Sequence, residues 1–390
     1  MTRERTVLLE DPARPGAAAV IKSGPFLFLS SVDGDTDPKT GHKDISSFGD
    51  GPAQARNAYQ TVVDRLVECG YDGSAAVRIE HATSSQEWRL ARMALWPEYF
   101  GEPTQAVSQG YQGKMAGQNM ITVTTVATTG EVEREIITPG PNPGRASRIS
   151  RCGPFLFIIG VRGQTDLATG EDSPEESPEA FAAQVRTAYR NIDHHLGSAG
   201  ADKHHLVRFD GFIRDINRAM EHRDLRTEHF DGRMDVASTV VACPLGGRSD
   251  IELSAMAVRP GEERDVTFYE GRTDLARTVR AGGFIFASGA LGNRGVDGKL
   301  RDDVCGKLEP QLDLALERIA ASLDDYSAPL ESVVRLDVYV KDQHRYDDVH
   351  RWLHDRFNGD VPTVAMHGIE LESTAEAELT AIAADDRAAT

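Results

Sequence analysis

Two glutamates sit where glutamate is costly. Glu252 lies inside the run Ile251-Glu252-Leu253-Ser254-Ala255-Met256-Ala257, and Glu378 opens the run Glu378-Leu379-Thr380-Ala381-Ile382-Ala383. A carboxylate amid an apolar strand is disfavoured unless it is paired or does chemistry. Each is therefore a candidate general acid or base. The middle third of the chain also carries Arg148, Arg162 and Arg223. Guanidinium groups grip a carboxylate or phosphate through paired N–H donors, and three of them would keep a nearby glutamate ionised. His350 is a candidate acid/base partner for Glu378, and Arg277 a further cation. A blander reading stands beside each of these. Arginines on a rim also form structural ion pairs, all the more with 61 acids against 43 bases, and a histidine on a helix face also serves structure alone.

Other chemistries lack their residues. The pairs His194-His195 and His204-His205 do not share a helix face, and no cysteine or acid completes a metal-ligand spacing. Cys69, Cys152, Cys243 and Cys305 stand far apart, which predicts a reducing cytoplasm and no disulfide framework. No glycine-rich nucleotide loop and no Gly-x-Ser-x-Gly is present. The expected chemistry therefore uses neither metal nor organic cofactor. A net charge of −18 over 390 residues argues against nucleic acid or an anionic membrane as partner. The N-terminal stretch leads into no long apolar run, so no signal peptide is expected.

The elements that must hold these residues come in triplicate. Gly24-Pro25-Phe26-Leu27-Phe28 returns as Gly153-Pro154-Phe155-Leu156-Phe157 and as Gly282-Gly283-Phe284-Ile285-Phe286, at a constant spacing of 129 residues. A period of that length is a repeated domain. A helix follows in each copy. Its inner stripe is Ala55, Ala58, Tyr59, Val62, Leu66 in the first, Val185, Ala188, Tyr189, Ile192, Leu196 in the second and Leu312, Ala315, Leu316, Ile319, Leu323 in the third. Gln54, Gln184 and Gln311 lead these helices, and Ser177-Pro178 predicts the second one's start. Then come the strands Val77-Arg78-Ile79, Val207-Arg208-Phe209 and Val334-Arg335-Leu336, a second helix ending at Phe100, Phe230 or Phe357, and a closing strand pair. Breaker-rich segments at 139–144 and 259–263 read as linkers. They divide the chain into 1–138, 139–261 and 262–390. The order in each is β-β-α-β-α-β-β, an α+β class.

This ordered set resembles the RidA (YjgF/YER057c/UK114) family. The residues that carry the likeness are the Gly-(Pro)-Phe strand, the turn ending at Gly41, the start at Gln54, the Val-Arg strand and the closing strand at 251–257. The resemblance implies a chorismate-mutase-like fold with three sheets facing inward, helices outside and ligand clefts between neighbouring units. Three copies imply a pseudo-trimer within one chain, and hence a monomer or dimer. Chorismatases are also similar to this fold in tandem copies. The family's imine deaminases hold the substrate carboxylate with an arginine in a Pro-Ala-Arg-Ser pattern, and the matching positions here are Gln105, Ala237 and Val364. The family cysteine position holds Val107, Thr239 and Met366, and the proton-handling glutamate maps to Thr122, Glu252 and Glu378. Gln105 and Thr239 thus stand as substrate-side candidates where the family's groups are gone. The likeness brings Arg148, Arg162 and Arg223 to one cleft of the second copy with Glu252, and pairs His350 with Glu378 in the third. The expected function is acid/base-assisted hydrolysis or elimination on a small anionic metabolite, of imine deaminase or chorismatase-like type. The alternative is a binding or sensing protein that kept the fold and lost the chemistry.

Overall fold

The computed structural model describes residues 4–386 except 38, 86, 102–105, 139–147, 176 and 178, with the backbone alone at 89–91. The first repeat runs β1 (Arg5–Glu10), β2 (Ala18–Ser23), β3 (Phe26–Asp33), α1 (Gly51–Glu68), β4 (Ala76–Thr83), α2 (Glu87–Ala94), α3 (Trp96–Phe100), β5 (Val107–Gln112) and β6 (Ile121–Thr128). The second runs β7 (Arg134–Thr138), β8 (Ile149–Cys152), β9 (Phe155–Arg162), α4 (Ala180–Ser198), β10 (Leu206–Ile213), α5 (Ala219–His229), β11 (Ala237–Ala242) and β12 (Ile251–Val258). The third runs β13 (Arg264–Phe268), β14 (Ala276–Ala281), β15 (Phe284–Leu291), α6 (Leu308–Asp324), β16 (Val333–Val340), α7 (Tyr346–Arg356), β17 (Thr363–Gly368) and β18 (Ala377–Ala384).

Each repeat folds one six-stranded sheet, ordered β1-β2-β3-β6-β4-β5 in the first and equivalently in the others. The expected order is present, preceded by an extra edge strand. That strand corrects one boundary. β7 pairs with β8 and so belongs to the second sheet, although the breaker-rich stretch assigned residues through 138 to the first repeat. That stretch lies between two strands of one sheet instead, and all of it is outside the described residues. Two helix details also differ. The helix expected from Ser177-Pro178 begins at Ala180 without a side-chain cap, and Pro178 is outside the described residues. The second helix of repeat one breaks into α2 and α3 just before Pro97, which has no N–H to donate back along the helix.

The helices cover one face of each sheet and make three separate cores. Tyr59, Val62 and Leu66 lie against β3 and β6 in the first, and the corresponding stripes do the same in the others. The opposite faces meet at one axis. Phe26, Phe155 and Phe284 form a triangle there, with ring centroids 5.8, 6.0 and 6.0 Å apart. One layer further along, the side chains two residues apart on β4, β10 and β16 all point inward, as the period of a strand requires. Arg78, Arg208 and Arg335 form one layer, and Glu80, Asp210 and Asp337 the next. Each arginine bonds the acid of its own strand and the acid of another repeat. Arg78 reaches Asp210 at 3.1 Å, Arg208 reaches Asp337 at 2.7 Å, and Arg335 reaches Glu80. The ring is closed, and all six side chains are buried.

Edge strands complete the closure. β5 packs on β9, β11 on β15 and β17 on β3. At two of these seams a hydroxyl in the β-bulge receives a backbone N–H from the incoming strand: Val364 N to Ser30 Oγ at 2.9 Å, and Ser238 N to Ser288 Oγ at 3.0 Å.

Burial pushes the Glu80 carboxyl up, but Arg335 and Arg78 outweigh it and bring it down to about 2. The same balance holds Asp337 well below its usual range. Breaking a buried pair from one side leaves a charge uncompensated, at about 3–5 kcal/mol. Arg335→Met is therefore expected to lose about that much in urea unfolding at pH 7; a loss below about 1 kcal/mol would show the ring to be dispensable. A carboxyl depressed in the folded state stabilises above its unfolded pKa. The wild type should accordingly lose stability as pH falls from 4.5 toward 2.

Candidate functional site

The three seams are built alike and filled differently. In each, a residue near the start of the last strand faces the residue that ends the third strand of its repeat. The cross-strand pairs are Asp33 with Thr122, Arg162 with Glu252, and Leu291 with Glu378. The glutamine that leads the first helix fixes this corner. Its amide oxygen accepts the N–H two residues before that position, from Met120 to Gln54, Asp250 to Gln184 and Glu376 to Gln311, each at 2.7 or 2.8 Å.

A cleft of about 1030 Å³ opens at the second–third seam. Its walls come from α5 and β11 of repeat two and from β14, β15, α6 and the following loops of repeat three. Glu378 sits at its floor and is 4% exposed. Its Oε1 accepts the hydroxyl proton of Thr239 on β11. Gly289 leaves the space for this meeting, since a Cβ there would fall on the Glu378 carboxylate and 3.0 Å from Thr239 Oγ1. Burial drives the Glu378 carboxyl up to about 7, against the Thr239 hydrogen bond and the Arg318 charge, with Glu372 adding to the rise. A buried carboxylic acid with its pKa near neutrality is suited to give and retake a proton.

Seven Arg and Lys side chains line this cleft against four acids. Several are already paired. Arg272 forks onto Asp274, Arg223 lies 3.5 Å from the same carboxylate, and Arg277 is held by Asp325 at 3.3 Å. Among the described residues, Arg226, Arg294 and Arg318 pair with no carboxylate. Arg226 is buried, with one long hydrogen bond to Ser238 Oγ at 3.4 Å and its Nε unpartnered. Arg318 donates to the Leu291 carbonyl at 3.1 Å and to the Tyr269 hydroxyl at 3.3 Å, and its Nε is likewise unpartnered. Unpaired guanidinium edges beside a neutral acid make an anion-binding pocket.

The expected grouping is redistributed. Glu252 and Arg162 do meet, with Arg162 Nε and Nη2 at 2.7 and 2.6 Å from Glu252 Oε2, but at the first–second seam. Arg223 lies at the second–third cleft instead. Arg148 joins neither; its charge acts on His195 of α4. The clamp of three arginines about Glu252 does not form, because α5 and the β9 end of one repeat face different neighbours. His350 does not meet Glu378 either. It is not among the cleft residues, and burial and the charge of Arg14 push its pKa down to about 3. Thr239 and Arg277 do lie in the Glu378 cleft. Gln105 is outside the described residues.

The strand register also corrects an equivalence. Val107, Ala237 and Thr363 stand opposite Arg78, Arg208 and Arg335 in the parallel ladders. The position matched to the family arginine is therefore Val107, Ala237 and Thr363 rather than Gln105, Ala237 and Val364. The partners of Thr239 are Gln109 and Ala365 rather than Val107 and Met366. The loops entering these strands differ between repeats, so equal sequence offsets do not give equal positions. Arg226 and Arg318 were not among the expected site residues, yet each carries a signal in the sequence. Arg226 lies one turn before Phe230, and Arg318 falls between Ala315 and Ile319 on the buried stripe of α6.

Comparison with known proteins agrees with this architecture. No curated protein matches the sequence. A chorismatase crystal structure aligns over 80% of this chain and 93% of its own, at 16% identity and a TM-score of 0.52. A Rid-family protein of unknown function from Yersinia pestis aligns over 32% of this chain and 99% of its own, at 23% identity and a TM-score of 0.29. A YjgF/YER057c/UK114-family protein from Mycobacterium tuberculosis aligns over 32% and 99%, at 26% identity and a TM-score of 0.26. The family model described as endoribonuclease L-PSP matches residues 150–259 and again 271–385. With more than half its length matched, the chain belongs to the endoribonuclease L-PSP family, the RidA (YjgF/YER057c/UK114) family, as three tandem domains in one polypeptide.

Proposed function

We propose that the chain is an enzyme acting on a small carboxylate-bearing metabolite, with the second–third cleft as its working site. One observation carries this reading: a buried, protonatable Glu378 at the floor of a cleft rich in arginine. Arg226 and Arg318 hold the ligand's acid group. Glu378 protonates the imine nitrogen, or the enol-ether unit of an eliminating substrate, and regains its proton from the attacking water or from the carbon that loses one. The Thr239 hydroxyl bonds the carboxylate that this step exposes. The chorismatase likeness is one of fold, and supports the enol-ether branch only by analogy.

Ala237, at the position of the family arginine, favours a second reading in which the cleft binds or senses a carboxylate without turnover. For the same reason 2-aminoacrylate should be hydrolysed little or not at all; turnover at a deaminase's rate would overturn the assignment of the anion grip to the helices.

Glu378→Gln separates catalysis from binding. Turnover of an imine or enol-ether substrate should fall about 10²–10⁴-fold with KM little changed, whereas unchanged kcat would remove Glu378 from the chemistry. Stability should move the other way. A carboxyl raised from 4.5 to about 7 on folding stabilises fully below 4.5 and loses that contribution as pH rises through 7. At pH 8 the glutamine variant should therefore be the more stable by up to about 3 kcal/mol. A purely structural glutamate would give the opposite sign. Arg226→Ala should weaken binding of pyruvate or a similar carboxylate about tenfold or more by calorimetry, as expected for a lost charge-assisted hydrogen bond; unaltered affinity would place the anion elsewhere.

A further inference from the structure

The three repeats are an internal comparison at one position. Asp33, Arg162 and Leu291 end equivalent strands, and each faces the corresponding residue of the last strand. In repeat one, Thr122 donates its hydroxyl to Asp33 at 2.8 Å, and no glutamate is present. In repeat two, Arg162 closes on Glu252 with two nitrogens. In repeat three the facing residue is apolar, and no cation reaches Glu378 across the strand. We propose that this position decides which seam is chemically competent, and that Leu291 is the positioning residue that keeps Glu378 a free proton donor.

The equivalence of the two glutamate sites is close. The carbonyl of the deciding residue is held the same way in both. Asn191 of α4 donates to Arg162 O at 2.8 Å, and Arg318 of α6 donates to Leu291 O at 3.1 Å. Both glutamates are buried to the same degree, at 2% and 4% exposure. What differs is the counter-charge. Every charged neighbour of Glu378 must be set against Leu291. From α6, Arg318 lowers its pKa, and Glu372 from the loop before β18 raises it. From α5, Arg226 and the buried His222 line the same cleft, as do Arg277 of β14 and Arg294 after β15. Tyr339 of β16 is the other cross-strand neighbour. None of these is ion-paired to Glu378, and its carboxyl stays near 7. An arginine at 291 would extend into the open cleft and supply the pair that Arg162 supplies to Glu252. The first–second seam is thus a second site of the same construction, held shut by its own side chain.

This rests on Glu378 being the proton donor, but its test reads the carboxyl and not turnover. The full chain, labelled with carboxyl-¹³C glutamate, is titrated by NMR. Wild type should show one glutamate titrating near 7, absent in Glu378→Gln. Leu291→Arg should move that signal below the ordinary 4.5, and Leu291→Met should leave it. In the other direction, Arg162→Leu should bring a second glutamate above 4.5, and adding Glu252→Gln should remove it. A Leu291→Arg signal still near 7, or no new elevated glutamate in Arg162→Leu, overturns the proposal. If Leu291→Arg does not fold, the Arg162→Leu arm decides alone. Titrations as expected, in a protein that turns over no carboxylate, would leave the tuning intact and reject the enzyme. Turnover in a protein whose Glu378 ignores residue 291 would do the reverse.

Discussion

A closed ring of three arginines and three acids sets the geometry on which the rest depends. Each repeat brings one Arg and one acid two residues apart on its central strand, and each Arg also bonds an acid of another repeat. A sheet that docked in the wrong order or register would strand a buried charge. Buried ion pairs contribute little net stability against apolar replacements of the same shape. The reason to keep one is specificity: only threefold closure pairs all six charges. The phenylalanine triangle beside the ring is apolar and tolerant by comparison, so it supplies cohesion without choosing the arrangement.

Closure around the ring forces every candidate site to be shared. The edge strand of one repeat lands on the third strand of the next, so each seam takes one wall from each side. In a trimer of identical chains the three seams would be identical. In one chain they drift apart, and here they have. One has a threonine where the others have glutamate, one pairs that glutamate with an arginine, and one holds it near 7. The ring and the leading glutamines are the parts that did not drift, because each satisfies buried polar groups whose loss would be costly.

The repeats and their strand and helix order were legible in the sequence, since glycine-headed aromatic strands and helical stripes are local signals, whereas the inward-facing sheets followed only from the family resemblance. The ring was legible in part. The Val-Arg strand recurs three times, but no local signal ties it to the acid two residues on, at Glu80, Asp210 and Asp337. The site was less legible, for a physical reason. Arg162 and Arg223 are 61 positions apart in one repeat and face different seams. A grouping by repeat therefore joins residues that the fold separates, and separates Thr239 from Glu378, which the fold joins. Strand β5 adds a second obstacle. Its one glycine, Gly110, has no counterpart in β11, so its offset from β11 shows only in the ladder with β4.

The family resemblance would place an arginine on the edge strand where Ala237 stands, yet the cleft is still lined by arginine. The edge strand carries Ala237 there, and among the described residues guanidinium groups without a carboxylate partner come from α5 and α6, which supply Arg226 and Arg318. On the edge strand an arginine would approach Glu378 beside Thr239 and pair with it, as Arg162 pairs with Glu252. On the helices the same charge is set further back, its hydrogen bonds partly taken by Ser238, the Leu291 carbonyl and Tyr269. On the proposed reading, an anion is held while the carboxyl beside it keeps its proton. In a chain with a net charge of −18, such a cleft is also a local sink of positive potential. Displacing the arginine from the strand therefore reconciles two demands that conflict when both groups share one wall: a cation for the ligand and a neutral acid for the proton.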